Sequence, residues 1–100
     1  MKTKWKTPTT FKLLGRTVTV KIIPDLAHEY EETGYWRDSK NLIGLQKPDD
    51  KHAKDVMEAA FWHEAVHAMF DSLGYDELSK DEKLVEQLAQ CIYQIITTAE

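Results

Sequence analysis

Cysteine is almost missing from this chain: Cys91 stands alone, so no internal disulfide can brace the fold, and a reducing, intracellular setting is expected. Long apolar runs are missing as well. None approaches the roughly 20 residues that a membrane-spanning helix needs, so a membrane is not an expected partner. The start, Met1-Lys2-Thr3-Lys4-Trp5-Lys6, is basic but has no apolar segment behind it. A secretory signal is not built that way, and the expected location is cytoplasmic. Internal repeats, low-complexity tracts and linkers are also lacking, which leaves one small domain spanning 1–100. The apolar and charged fractions, 42% and 30%, are those of an ordinary folded domain and exclude a disordered chain.

Acidic residues are absent before Asp25, where six basic ones stand (Lys2, Lys4, Lys6, Lys12, Arg16, Lys21). The remainder carries seven basic against seventeen acidic residues, for a net charge of −4. A basic arm is one feature of nucleic-acid binders. Here the lysines are spread along a strand-like stretch of an acidic protein, which reads as a solubilising surface and argues against nucleic acid as a partner.

Near Pro48 the pattern changes from strand to helix. Val18, Val20 and Ile22 alternate with Thr17, Thr19 and Lys21, the period of a half-buried strand. Phe11 to Leu14 precede it across Gly15-Arg16, which predicts a tight hairpin. Leu26 to Thr33 predicts a short helix closed by Gly34. Tyr35-Trp36-Arg37 and Leu42 to Leu45 predict two strands around a turn at Asp38 to Asn41. After Pro48, a helix is expected from about Asp50 to Leu73, stopped by Gly74. Its second half, with Phe61, Trp62, Ala65, Val66, Met69, Phe70 and Leu73, is apolar nearly all round and therefore central. Ser79 and Glu82 form a capping box opening a last helix (about 80–98), whose buried stripe is Leu84, Val85, Leu88, Ala89, Ile92, Ile95 and Ile96. The expected fold class is α+β, a small, mostly antiparallel N-terminal sheet packed on these two helices.

The central helix carries His63-Glu64-Ala65-Val66-His67, an H-E-x-x-H motif. Residues four apart on a helix lie one turn above each other on one face, so both imidazoles reach one metal ion. The glutamate between them suits a base for water. A catalytic zinc site takes three protein ligands and a water. No histidine follows His67, so the third ligand is a carboxylate of the last helix, Glu82 or Glu86. Both lie on one edge of its stripe. With Glu82 assigned to the capping box, Glu86 is the expected third ligand.

These residues resemble the gluzincin metallopeptidases, the group that includes thermolysin, which carry H-E-x-x-H on one helix and a glutamate ligand on a later one. His67-Ala68-Met69-Phe70-Asp71 is similar to the continuation of the thermolysin helix. More narrowly, Glu86-Gln87-Leu88-Ala89-Gln90 resembles the second helix of minigluzincins and of small phage or prophage proteins. The resemblance implies zinc held by His63, His67 and Glu86, hydrolysis of a peptide or protein substrate, and Glu64 moving a proton from water to the leaving amine. For the oxyanion, the candidate donors are Tyr93 and Tyr75. Asp71 is a candidate to orient an imidazole, and Asn41 to Leu45 is a candidate edge for an extended substrate. His28 and His52 read as surface residues and Cys91 as a buried, inert thiol. Two departures stand out. The family's orienting aspartate, one turn after the glutamate ligand, is Gln90 here. The lower subdomain that closes the cleft in larger members, with the histidine that steadies the intermediate, lies outside this sequence. A zinc-containing binding or regulatory module is therefore the second reading.

Overall fold

Leu14 and Gly15 both take positive φ, 48° and 83°, and form a two-residue turn of the kind that matches strand twist. Glycine supplies the second turn position at no steric cost, so the hairpin closes one residue earlier than the expected Gly15-Arg16. A computed structural model describes residues 5–30 and 32–100, the Tyr30 side chain excepted. Lys2 and Lys4 of the basic arm, the first four residues of the N-terminal segment, and Glu31 lie outside the described residues. The turn joins β1 (Thr10–Leu13) to β2 (Arg16–Ile23). A short helix, α1 (Leu26–Tyr30), leads to β3 (Gly34–Arg37) and, through a 3₁₀ turn over Asp38–Lys40, to β4 (Leu42–Gln46). The spatial order is β1-β2-β4-β3. β1 and β3 pair antiparallel with their neighbours, while β2 and β4 run parallel. The sheet is therefore mixed, the fold is α+β, and β3 is an edge strand.

Asn41 ends the 3₁₀ turn with φ at 49°. Arg16 holds this corner: its Nε donates to Asn41 Oδ1 at 2.7 Å and its Nη2 to the Asp38 carbonyl at 2.6 Å. Its Nη1 donates to Ser72 Oγ at 2.9 Å, and the guanidinium lies 5.1 Å from the Trp36 ring centroid. One side chain thus ties the hairpin, the β3–β4 corner and the helix that follows.

That helix, α2, runs Lys54–Leu73 and ends at Gly74. It starts later than Asp50 because Asp49 turns the chain first. Asp49 Oδ1 accepts from the backbone N–H groups of Lys51 and His52, both at 2.8 Å, which builds a local turn instead of a first helical turn. α2 lies between the sheet and the last helix, α4 (Glu82–Thr98), with the short α3 (Asp76–Ser79) as connector. Val18, Val20, Ile43 and Leu45 meet Ala60, Phe61 and Ala65 on its sheet side. Val66, on its other side, meets Val85 and Ala89 of α4. These residues bury apolar area at about 25 cal/mol per Å².

The stripe on α4 is wider than the surface α2 offers. Only Val85 and Ala89 are fully buried, whereas Leu88 and Ile95 are exposed, and so is Cys91, contrary to its expected burial. Among the described residues, no helix is long and apolar enough to cross a membrane.

Candidate metal centre

Helical geometry sets the two imidazoles side by side, with ring centroids 5.1 Å apart. Both turn the same nitrogen towards one carboxylate. His63 Nε2 stands 3.2 Å from Glu82 Oε2, and His67 Nε2 stands 3.0 Å from Glu82 Oε1. One nitrogen from each ring and one Glu82 oxygen all lie within 4.8 Å of one another. Two imidazoles and a carboxylate are a donor set of the kind that zinc takes.

Glu86, expected as the third ligand, is not the carboxylate that faces both rings. Its Oε2 lies 3.5 Å from His63 Nδ1, behind the ring. The cause is the start of α4. Ser79 does not cap this helix; Asp81 does, accepting from the Leu84 N–H at 3.1 Å. Glu82 is therefore the first helical residue, free of the capping duty assigned to it, and its side chain reaches across to α2. Ser79 ends α3, is 8% exposed, and holds its Oγ 3.1 Å from His67 Nδ1. Each ring thus has Nε2 towards Glu82 and Nδ1 against a second group, Glu86 or Ser79. Glu86 stands one helical turn after Glu82 on α4.

Glu64 is 9% exposed, lines the cleft and accepts no hydrogen bond among the described residues. Burial pushes its carboxyl up from 4.5 to about 7; the nearby His63 opposes the rise, and the charges of Glu82, Glu32 and Glu86 add to it. A carboxyl that titrates near neutrality can both take and return a proton. The surrounding cleft holds about 910 Å³ and is bounded by α2, α4 and the edge strand β3.

Several expected roles fall elsewhere. Tyr93 does not line the cleft: its hydroxyl donates to Glu58 Oε1 at 2.8 Å, and burial and this bond push the phenol up to about 12. Tyr75 is 55% exposed and also lies outside the cleft. Asp71 does line it, yet its Oδ2 accepts from Trp36 Nε1–H at 2.9 Å, and the partner of the His67 ring is Ser79. Asn41 to Leu45 is no edge, because β4 pairs on both sides. The edge bordering the cleft is β3. Gly44 serves packing instead of a substrate: a Cβ there would stand 2.3 Å from the Tyr35 ring. His28 is exposed, and His52 pairs with Asp49 at 3.0 Å; neither joins the site.

From the sequence, Glu82 is weighed and set aside for Glu86, Ser79 reads as a helix cap and not as a ring partner, and Glu32 is not singled out. The signal for the first two was present, since Asp81 is as good a cap as Ser79 and starts the helix at Glu82. Nothing local pointed to Glu32. No protein-family model matches the chain, and neither a curated protein nor a solved structure does.

Proposed function

We propose that this chain is a zinc-dependent hydrolase of peptide bonds, with His63, His67 and Glu82 holding the ion and Glu64 as general base. The observation that carries this reading is the convergence of both Nε2 atoms on Glu82, on the same cleft as the buried Glu64 carboxyl, which accepts no hydrogen bond among the described residues. Zinc held there supplies a Lewis acid that acidifies a water and polarises a carbonyl. The chain's own residues do the rest. Glu64 takes the proton of the attacking water and delivers it to the leaving amine. Ser79 and Glu86 hold the Nδ1 atoms, which fixes the rings with Nε2 towards the ion. The free edge of β3, next to the cleft, offers backbone groups to an extended peptide as an added strand.

A second reading, a zinc-containing binding or regulatory module with little or no peptidase activity, is favoured by one observation. Tyr93, the expected oxyanion donor, is committed to Glu58.

Zinc titration against a chromophoric chelator tests the site. Glu82→Gln is expected to weaken binding by more than about a hundredfold and Glu86→Gln by about tenfold, the usual cost of an outer partner. Equal losses in the two variants remove the assignment. Degradation of an unfolded protein by the zinc-loaded chain then separates the readings. Hydrolysis lost in Glu64→Gln, with zinc retained, supports the enzyme; no hydrolysis by the wild type favours the module.

A further inference from the structure

The cleft is acidic beyond what a metal site requires. Glu32, Glu64, Asp71, Glu82 and Glu86 line it, and among the described residues no lysine or arginine does. A divalent ion offsets two of these charges. Asp71 takes the Trp36 N–H and Glu86 faces His63. Glu32 is left: it is exposed and has no hydrogen bond or ion pair among the described residues. Arg16 pairs with Asp38, and Arg37 lies over the Tyr35 ring. Glu64, only 9% exposed, accepts no hydrogen bond among the described residues and lines the same cleft.

The position of Glu32 along the cleft follows from the packing. A Cβ on Gly34 would touch Glu64 Cγ at 3.3 Å, while Trp36 reaches Asp71. β3 and α2 therefore run the same way, and Glu32 lies at the end where α2 presents Val56 and Ala59. Val56 is 41% exposed and, with Ala59, lines the same cleft as the Glu32 carboxylate. A lysine or arginine side chain matches both, with its methylene stem on apolar surface and its charged head in reach of the acid.

We infer that the cleft selects a peptide segment bearing a lysine or arginine, whose stem lies on Val56 and Ala59 and whose charged head meets Glu32. This rests on the cleft being a peptide site, as proposed above. Two fluorescent peptides test it, identical except for lysine or glutamate on either side of the central bond. Binding is read by anisotropy on zinc-loaded Glu64→Gln protein, so that no cleavage intervenes. The lysine peptide is expected to bind about tenfold more tightly at low salt, a gap that narrows as salt screens it. Glu32→Gln should shrink the gap to about twofold, and Glu32→Lys should reverse it. Equal binding of the two peptides, binding of neither, or a gap unchanged by Glu32→Gln overturns the inference. Cleavage by the wild type is scored separately. A lysine peptide bound tightly but left uncut supports the cationic preference and removes the peptidase reading; cleavage of both peptides at one rate removes the preference and leaves the peptidase.

Discussion

In the metal-free protein, Glu64 should make folding stability fall as pH rises, and Glu64→Gln should abolish the fall. The carboxyl is 9% exposed and pushed up from 4.5 to about 7, first by burial. Between those values the unfolded chain has lost the proton and the folded chain still holds it. The folded state then binds more protons, so stability declines with pH through this window and stays lower above pH 7. Below 4.5 both states are protonated and the burdened charge is absent. At about 1.4 kcal/mol for each tenfold change in proton affinity, the displacement corresponds to about 3 kcal/mol lost between pH 4.5 and 8. That is a large share of the roughly 5–15 kcal/mol typical of a domain this size. Urea unfolding in the presence of a chelator, at pH 5, 6, 7 and 8, gives the comparison. The difference between Glu64→Gln and wild type should move in favour of the variant by about 2–3 kcal/mol from pH 5 to pH 8. A difference that stays constant across the series refutes the reasoning, because Glu64 would then be as well solvated folded as unfolded.

Three further outcomes are expected. Gly44→Ala should cost about 2–3 kcal/mol in urea unfolding, because a Cβ there would stand 2.3 Å from the Tyr35 ring and either the ring or β3 must shift; a neutral result would mean that the ring is not seated on β4. Ser79→Ala should weaken zinc binding about tenfold in the competition titration while the fold melts cooperatively, since it removes only the partner of His67 Nδ1; unchanged affinity would leave Ser79 no part in the site. Tyr93→Phe should cost about 1 kcal/mol of stability through the lost bond to Glu58 and leave zinc binding and any hydrolysis unaltered. A large fall in hydrolytic rate at full stability would return Tyr93 to the cleft.

Local patterns were readable wherever neighbours in sequence are also neighbours in space. The alternation of Val18 and Val20, the corner at Asp38 to Asn41 and the burial of Phe61, Ala65 and Val66 on α2 appear as expected, because strand and helix periods act over a few residues, whereas Ile22 and Leu73, expected in the same apolar faces, are exposed at the ends of their elements. Readings failed where two local solutions competed. Ser79 and Asp81 are both good caps, and the choice between them set whether Glu82 was tied up or free. Asp49 and Asp50 suit a helix start, yet Asp49 bonds the next two N–H groups into a turn. The α4 stripe is apolar over more of its width than α2 can cover, and periodicity alone could not tell which part stays exposed.

By itself the sequence determined the pairing of His63 with His67 and the place of Glu64 between them. The rise and period of a helix leave those residues no other arrangement once α2 forms. Only the tertiary structure decided which carboxylate joins them, which groups hold the far ring nitrogens, and which strand forms the edge of the cleft. Glu82 and Glu86 are equivalent on a helical wheel. They are told apart by where α4 begins and how it crosses α2, and β3 becomes an edge because β4 pairs with β2 across the chain. Contacts between distant segments depend on how whole elements pack, and no short-range pattern encodes that.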